Sequence, residues 1–351
     1  MTTDSGDLAT LAGFGWSHHF QSQLGETDTG IPVRVGAVHR DGLEIIAPGV
    51  TMRVHQLAAD DEEARATVGD WLLFDTASGR VVRLLARRSV FKRRAAGTGR
   101  RVQLIAANVD TLFVVTSCNP DFNIARLERF LALAREAGVT PVVVLTKADL
   151  ADDTAAYESA ARRLMPGLFV ACLDARDAAS VAVLAPWCGP GQTVALVGSS
   201  GTGKSTLVNT LAGVAQATAG IREDDARGRH TTTGRSLHRL AAGGWLLDTP
   251  GMRELQLADA QEGIADVFAD VMALAAGCRF ADCGHDAEPG CAVRAAIVDG
   301  TLDADRLERY RKLAREDVRN SEAIHQRRAR QRRFGRVARA AMQEKKDRRG
   351  D

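Results

Sequence analysis

The sequence predicts a multidomain protein that combines a small β-barrel, an α/β domain and an α-helical C-terminal domain. Three observations predict this architecture: short apolar runs between turn residues in the first part of the chain, strand–helix alternation from Thr111 onward, and three cysteines and a histidine between Cys278 and Cys291. A chain of 351 residues is long enough for several domains. We expect a weakly ordered segment at 1–30, the barrel at 31–95, the α/β domain at 100–265, and the helical domain with its basic tail at 266–351.

The barrel is predicted from β-like runs that follow one another closely. Turn signals such as Asp41-Gly42 and Ser78-Gly79 separate them, as expected for short antiparallel strands. An OB-fold is one small barrel with this pattern, and it binds nucleic acids, although other small barrels share the pattern. The predicted strands are Ile31–Val38, Leu43–Ala47, Val50–Val54, Trp71–Asp75 and Val81–Leu85.

Alternating strands and helices predict a mostly parallel sheet in the α/β domain. Apolar runs rich in β-branched residues are typical of strands buried in such a sheet, and helical spacing appears between them. The predicted strands are Thr111–Ser117, Pro141–Leu145, Thr193–Val197 and Trp245–Leu247, and the predicted helices are Ile124–Ala137 and Ser205–Leu211.

A phosphate-binding loop follows the strand Thr193–Val197. Its pattern is Gly-x-x-x-x-Gly-Lys-Ser, and a strand before it and a helix after it are the context that this motif requires. Glycines allow the backbone N–H groups to curl around phosphates, and the helix N-terminus adds favourable partial positive charge. Lys204 is expected to reach the β- and γ-phosphates, and Ser205 to bind Mg²⁺. The loop residues are Gly198, Ser199, Ser200, Gly201, Thr202, Gly203, Lys204 and Ser205.

The identity of the base is predicted by Thr146-Lys147-Ala148-Asp149, which precedes the loop in the sequence. The Asp149 carboxylate can accept hydrogen bonds from N1–H and N2–H₂ of guanine, a pair of donors that adenine lacks. The Lys147 stem can cover the purine face, and Thr146 stands where asparagine is usual in this motif. Asp174-Ala175 is a further candidate, for a backbone contact to guanine O6. GTPases ordinarily have the phosphate loop first, so the motif order is rotated here.

Two segments after the loop are expected to hold Mg²⁺ and to respond to the γ-phosphate. Asp248-Thr249-Pro250-Gly251 follows a strand, so Asp248 is expected to bind Mg²⁺ through a water and the Gly251 N–H to contact the γ-phosphate. The run Thr231–Thr233 lies where a Mg²⁺-binding threonine is expected, and spacing alone does not choose among its members.

The residue after Gly251 has a consequence for catalysis. Met252 stands where Ras-like enzymes carry the glutamine that orients the attacking water, and an apolar side chain cannot perform that task. Slow intrinsic hydrolysis is therefore expected. We assign the missing catalytic role to His230, whose imidazole can hold or polarise a water, with a structural role as the alternative.

A metal site is predicted in the C-terminal part of the chain. Three thiolates and one imidazole complete a closed tetrahedral shell, which is the arrangement of structural rather than catalytic zinc. We therefore expect one structural Zn²⁺ per chain. The remaining cysteines are scattered through apolar segments. The predicted ligands are Cys278, Cys283, His285 and Cys291.

Positive charge is concentrated in two places, although the net charge is only +2. Residues 327–349 hold eleven Arg or Lys against Glu344 and Asp347, and a second cluster between Arg83 and Arg101 contains no acidic residue among its members. Clustered positive charge indicates a polyanionic partner, with a solvated surface as the alternative. The second cluster consists of Arg83, Arg87, Arg88, Lys92, Arg93, Arg94, Arg100 and Arg101.

The bulk composition is ordinary for a soluble protein. Apolar residues make up 45% of the chain and charged residues 26%, so disorder is not expected. The sequence contains no apolar run long enough to span a membrane and no secretory signal at its N-terminus. We therefore expect no membrane association and a cytoplasmic location.

Together these motifs resemble the ribosome-small-subunit-dependent, circularly permuted GTPase family, over the part of the chain from Ile31 to Tyr310. The resemblance implies an OB-fold, a circularly permuted P-loop GTPase core and a C-terminal zinc domain. It also implies action late in maturation of the 30S ribosomal subunit, with GTP hydrolysis stimulated by that subunit through His230. The segments that carry the resemblance are Ala106–Asp110, Thr146–Asp149, Gly198–Thr206, Gly228–Thr233, Asp248–Arg253 and Pro289–Cys291.

The expected partners follow from this reading: the 30S subunit and its 16S rRNA, with GTP and GDP as nucleotides, Mg²⁺ bound with GTP, and the protein acting as a monomer. Thr206 joins the nucleotide-binding residues through the resemblance. One alternative is a GTPase switch whose flanking modules bind protein partners rather than rRNA. Another is an RNA-binding module that retains a nucleotide site without hydrolysing GTP, against which the complete set Lys204, Ser205 and Asp248 argues.

Overall fold

The computed structural model describes residues 5–56, 62–94, 102–213, 235–249, 252, 257 and 259–321. The chain divides between Gln256 and Leu257 into an N-terminal and a C-terminal unit. Among the described helices, none combines the length and apolar character needed to cross a membrane.

The first strands of the N-terminal unit form the OB-type barrel. Their order is β3-β2-β1-β4-β5 with every neighbour antiparallel, and within the described residues β3 and β5 are not paired, as in a partly open Greek-key barrel. The barrel interior is lined by alternate residues of these strands, among them Val33, Ile45 and Phe74. The strands are β1 Ile31–Val38, β2 Leu43–Ala47, β3 Val50–Val54, β4 Trp71–Asp75 and β5 Arg80–Leu84.

Residues before the barrel are ordered from Ser5 onward, which differs from the expectation of a weakly ordered segment at 1–30. They form helices α1 Ser5–Ala12 and α2 His18–Gln21. Trp16 and Phe20 are buried against the outward face of β4, where Trp71 and Leu73 would otherwise meet water. The apolar side chains of a short polar-looking segment therefore complete the burial of β4 on both faces.

A hairpin that was not predicted connects the barrel to the α/β part. Strands β6 Val90–Arg94 and β7 Val102–Ala107 pair antiparallel to form a separate two-stranded sheet. β6 ends in Lys92, Arg93 and Arg94, so the sequence there resembled a charged surface segment more than a strand.

The α/β part contains a sheet in the order β10-β9-β8-β11-β13-β12, with every pair parallel except β13 and β12. The order reverses between β8 and β11, and such a reversal is where open parallel sheets place ligands. The strands are β8 Thr111–Ser117, β9 Thr140–Thr146, β10 Phe169–Cys172, β11 Thr193–Val197, β12 Arg235–Arg239 and β13 Trp245–Asp248. The helices are α3 Ile124–Glu136, α4 Thr154–Arg162, α5 Ala178–Val181, α6 Ala185–Cys188 and α7 Lys204–Ala212.

The barrel and the α/β sheet are continuous. Strand β12 pairs with β1 through Ala37 opposite Ser236 and Val38 opposite Arg235. This pairing explains why the predicted barrel and α/β domains fall in one N-terminal unit rather than separating near residue 95.

A buried arginine joins three parts of the N-terminal unit. Arg34 of β1 is 1% exposed and donates hydrogen bonds to the carbonyl of Phe14 at 2.6 Å, to the hydroxyl of Thr193 at 2.8 Å and to the carbonyl of Asn108 at 3.2 Å. Burial lowers the pKa of Arg34 to about 10, so the side chain is still cationic at neutral pH. The hydrogen bonds of the Arg34 side chain thus connect the N-terminal segment, the barrel and the start of β11.

The C-terminal unit is helical. It contains α8 Gln261–Val267, α9 Ala269–Ala275, α10 Ala292–Val298 and a helix α11 over residues 304–321. Arg306 of α11 lies 4.2 Å from the ring centroid of Phe268 and pairs with Asp270 at 3.1 Å. The Ala260 amide N–H donates to the Asp317 carboxylate at 2.9 Å. These contacts place the residues from Leu257 in the C-terminal unit, whereas the sequence assigned 257–265 to the α/β domain.

Candidate nucleotide site and metal centre

The predicted nucleotide-binding segments meet at one edge of the sheet. Thr146 ends β9, Gly198 follows β11 and Asp248 ends β13. These strands are parallel, so their carboxyl ends lie at the same edge although the guanine motif comes first in the sequence. The rotated order of the motifs therefore leaves their spatial arrangement intact.

The phosphate loop has a backbone that requires glycine. Gly198 has φ +150°, and a Cβ at this position would lie 2.1 Å from the carbonyl oxygen of Val115. Gly203, with φ +83°, is the N-cap of α7 and supplies no side-chain cap. The first N–H groups of α7 are consequently not capped by a side chain, which is the arrangement that binds a phosphate at a helix N-terminus.

Lys204 lies over this loop. Its side chain is largely buried, at 9% exposure, and its Nζ donates a hydrogen bond to the carbonyl of Ser199. The ammonium group is thereby held above the loop that Gly198 begins. A cation fixed in this position is suited to the β- and γ-phosphates of a nucleotide.

Thr146 connects the guanine motif to the phosphate loop. The residue is fully buried, and its hydroxyl lies 2.7 Å from the carbonyl oxygen of Thr202 and 3.2 Å from that of Thr116. A hydroxyl has one proton to donate, and the shorter distance favours Thr202. Thr146 therefore serves the backbone of the loop and is not exposed toward a base.

Asp149 and Lys147 stand next to this connection. Lys147 has φ +58°, a left-handed conformation that is uncommon for a residue with a side chain and that is found at ligand sites. The Asp149 carboxylate accepts a hydrogen bond from Arg176 Nη2 at 2.6 Å. Arg176 was not predicted, although its place directly after Asp174-Ala175 is a signal that could have identified it.

The Asp174-Ala175 segment lies at the same edge, after β10. Thr210 of α7 donates a hydrogen bond to the Ala175 carbonyl at 2.7 Å, and the Asp174 N–H donates to the Ser180 hydroxyl at 3.1 Å. Among the described residues, the Ala175 N–H has no acceptor. The Thr210 contact therefore fixes the backbone segment that the sequence predicted to contact guanine O6.

The structure describes only part of the switch segments. Asp248 is half-buried at the end of β13, and Met252 is buried at 3% exposure. A buried thioether cannot orient a water for attack on a phosphate. Gly251, His230 and Thr231–Thr233 lie outside the described residues.

The predicted metal ligands come together in the C-terminal unit. The side-chain donor atoms of Cys278, Cys283, His285 and Cys291 all lie within 4.8 Å of one another. His285 Nδ1 is 3.6 Å from Cys278 Sγ and 3.5 Å from Cys291 Sγ, and the two sulfur atoms are 3.9 Å apart. Cys291 is also the N-cap of α10 and accepts the Arg294 N–H.

These distances fit a tetrahedral metal ion. Around zinc, with Zn–S near 2.3 Å and Zn–N near 2.0 Å, neighbouring sulfur atoms are about 3.8 Å apart and sulfur and nitrogen about 3.5 Å apart. His285 has φ +61°, a left-handed turn that directs its ring toward the thiols. The donor set and its spacing therefore suit a closed structural site.

The other cysteines are not arranged as metal ligands. Cys118 Sγ lies 3.8 Å from Cys172 Sγ, and Cys188 is buried in the α/β core. Burial raises the pKa of Cys118 and of Cys188 to about 12, so these thiols are protonated at neutral pH. Their role is packing.

The basic cluster predicted between Arg83 and Arg101 is partly used inside the protein. Arg83 pairs with Asp28 at 2.6 Å, Arg87 with the buried Asp70 at 2.8 Å, and Arg88 with Asp110. The acidic partners come from distant parts of the sequence, which is why the cluster looked unbalanced. These three arginines therefore form ion pairs within the protein, and a polyanion-binding role for the cluster stays a prediction. The basic run at 327–349 lies outside the described residues.

Comparison with known proteins agrees with this site. Residues 84–258 match the family described as RsgA GTPase. A protein described as "Small ribosomal subunit biogenesis GTPase RsgA" from Mesorhizobium japonicum is 54% identical over 317 residues, which cover 89% of this chain and 91% of that protein. "Small ribosomal subunit biogenesis GTPase RsgA 2" from Vibrio parahaemolyticus is 50% identical over 343 residues, 96% of this chain and 94% of that protein.

Two solved structures share the fold. YjeQ from Thermotoga maritima has a TM-score of 0.58 and 22% identity, covering 80% of this chain and 96% of that one. YloQ, described as a circularly permuted GTPase, has a TM-score of 0.58 and 21% identity, covering 85% of this chain and 96% of that one.

Proposed function

The chain belongs to the RsgA GTPase family, and from that premise we propose that it hydrolyses GTP while bound to the small ribosomal subunit and acts late in the maturation of that subunit. The observation that carries this proposal is the convergence of the guanine motif, the phosphate loop and Asp248 at one sheet edge despite their rotated order. The relatives from Mesorhizobium japonicum and Vibrio parahaemolyticus, named for small-subunit biogenesis, support the same partner.

The nucleotide is held by residues of the shared sheet edge. Asp149 reads the guanine donors, Lys147 covers the purine, and the Gly198–Thr206 loop surrounds the phosphates. Lys204 faces the β- and γ-phosphates, and the Ala175 N–H faces guanine O6. The buried Thr146 acts indirectly, because its hydroxyl fixes the loop at Thr202.

Two metal ions complete the protein. Ser205, and Asp248 through a water, would hold Mg²⁺, which would neutralise charge on the β- and γ-phosphates when GTP is bound. The Cys3His cluster holds one structural Zn²⁺ that fixes the start of α10 through Cys291. The Gly251 N–H contacts the γ-phosphate and links nucleotide state to the segment that follows it.

The attacking water requires a partner other than residue 252. Because Met252 is buried and apolar, we assign that role to His230 of the first switch. His230→Ala is expected to lower stimulated kcat about a hundredfold while leaving GTP affinity within about twofold, since a water-orienting group acts in the transition state. Single-turnover GTP hydrolysis in the presence of small subunits measures this. Unchanged turnover in the variant would contradict the catalytic assignment and favour a structural role for His230.

The proposed partner is the small subunit and its 16S rRNA, with the protein acting as a cytoplasmic monomer. Nucleic-acid contacts through the barrel and the zinc domain would make binding depend steeply on salt. Co-sedimentation of the protein with purified 30S subunits, with GTP analogue or GDP and over a series of salt concentrations, tests this. We expect nucleotide-dependent binding at low salt that weakens as salt rises. No binding at low salt would leave the alternative of protein partners for the flanking modules.

A further inference from the structure

A charged cluster lies beside the proposed guanine-reading carboxylate. Arg176 Nη2 donates to Asp149 Oδ2 at 2.6 Å and to Asp174 Oδ2 at 3.1 Å, and Arg176 Nε donates to Asp174 Oδ1 at 3.1 Å. One guanidinium therefore stands between two carboxylates. Without it, Asp149 and Asp174 would face each other as like charges.

Hydrogen bonds of the backbone at residues 174–176 hold this charged cluster in place. The Arg176 N–H donates to Asp174 Oδ1 at 2.9 Å, the Asp174 N–H donates to Ser180 at 3.1 Å, and Thr210 holds the Ala175 carbonyl. Thr210 belongs to α7, the helix that begins at the phosphate loop. The turn that carries Arg176 is thereby tied to the same helix that faces the phosphates.

The Asp149 carboxylate can bind a base and Arg176 at the same time. An ionised carboxylate has about four acceptor positions, and Arg176 takes one of them on Oδ2 of Asp149. Oδ1 and the second position on Oδ2 can still accept two donors. Guanine presents two adjacent donors, N1–H and N2–H₂, so both can be met while Arg176 stays in place. The hydrogen bond from Arg176 also holds the pKa of Asp174 below its usual value, so Asp174 carries its charge at neutral pH.

We propose that Arg176 is a positioning residue for guanine selection, which holds the Asp149 carboxylate against the charge of Asp174 so that both of its oxygens face the base. This role rests on the proposed function of Asp149. Arg176 acts through Asp149 and touches neither the phosphates nor Mg²⁺. Its side chain is 67% exposed, so the competing description is an ordinary surface ion pair with no effect on the base.

The distinguishing measurement is the preference for guanine over hypoxanthine. Hypoxanthine lacks the 2-amino group, so GDP and IDP differ in one hydrogen bond to Asp149. Dissociation constants for GDP, IDP and ADP are measured by calorimetry for the wild type, Arg176→Ala, Arg176→Lys and Arg162→Ala. Arg162 is the matched control, because its exposed ion pair, at 2.5 Å, is with Glu158 of the same helix α4 rather than with a predicted nucleotide-binding residue.

We expect the wild type to prefer GDP over IDP by about tenfold, the value of one hydrogen bond to a charged acceptor. Arg176→Ala should reduce that ratio about fivefold, chiefly by weakening GDP. Arg176→Lys should recover much of the ratio, and Arg162→Ala should leave it unchanged. Equal weakening of GDP and IDP, or no change in either, would overturn the proposal.

A second variant tests the repulsion directly. Asp174→Asn keeps an oxygen for the backbone N–H of residue 176 and removes the negative charge. Added to Arg176→Ala, it should restore part of the GDP-over-IDP ratio, and failure to restore any of it would contradict the proposal. A wild type that does not prefer GDP over ADP would instead refute the guanine assignment of Asp149, and with it the premise. Thermal unfolding without nucleotide confirms that the variants are folded.

Discussion

A single hydroxyl connects the two halves of the nucleotide site. Thr146 takes the first position of the guanine motif, and the sequence placed it among the nucleotide-binding residues. In the structure its side chain is buried and lies 2.7 Å from the Thr202 carbonyl oxygen. The pattern of the motif singled out Thr146, but pattern alone does not show whether a polar side chain faces the ligand or the loop that binds it.

Thr146→Val tests this contact, since valine has nearly the same shape and no hydroxyl. The change leaves the buried Thr202 carbonyl without its partner, at a cost of about 1 kcal/mol. We expect GDP affinity to fall roughly fivefold, measured by calorimetry, because the loop is less firmly held. Thr146→Ser, which keeps the hydroxyl, is the control. Equal affinity of Thr146→Val and the wild type would show that the contact does not support nucleotide binding.

At the scale of elements, the packing of β1 depends on polar contacts of a buried side chain that no sequence motif predicts. Arg34 reads in the sequence as an isolated charge in an apolar strand, yet it is buried and binds the N-terminal segment and the start of β11. Contacts between residues far apart in the chain carry no local signal. The same reason explains why the sequence missed the burial of Trp16 and Phe20 on β4.

Arg34→Met is expected to lower the free energy of unfolding by about 3 kcal/mol, because it leaves several buried acceptors without a donor. Chemical denaturation followed by tryptophan fluorescence measures the loss. The exposed Arg162→Met is the matched control and should cost less than about 0.5 kcal/mol. A loss in Arg34→Met no greater than in that control would mean that water satisfies the acceptors equally well.

The metal centre is the element that the sequence predicted most completely. Four residues within a short segment suffice for the ligand set, because their spacing limits how the chain can fold around an ion. The structure brings all four donor atoms together, with Cys291 also capping α10. Zinc itself is a prediction from the donor set.

Cys283→Ser should reduce bound zinc from one ion per chain to nearly none and loosen the C-terminal unit, because structural zinc contributes directly to folding. Elemental analysis gives the zinc content, and limited proteolysis reports the unfolding. GDP affinity should change little, since every described nucleotide-site residue precedes Leu257. Cys172→Ser, outside the cluster, should keep its zinc. Full zinc content in Cys283→Ser would exclude this ligand set.

At the scale of the whole molecule, the rotated motif order was correctly read as a circularly permuted GTPase core. Strand positions followed from local apolar patterns, so β1 to β4 matched their predicted bounds and β5 differed by one residue at each end. The continuity of the sheet through β12 and β1 was not predictable in the same way. Among the described residues it depends on two residue pairs between β1 and β12, and a pairing that short produces no periodic pattern in the sequence.

GTP turnover with and without purified 30S subunits, at saturating GTP and low salt, tests the central claim most directly. We predict slow hydrolysis by the protein alone, because Met252 cannot orient water, and a rise of at least about a hundredfold on adding subunits. Lys204→Ala should abolish both rates, which assigns the activity to this site. Equal turnover with and without subunits, at concentrations where co-sedimentation shows binding, would contradict the account.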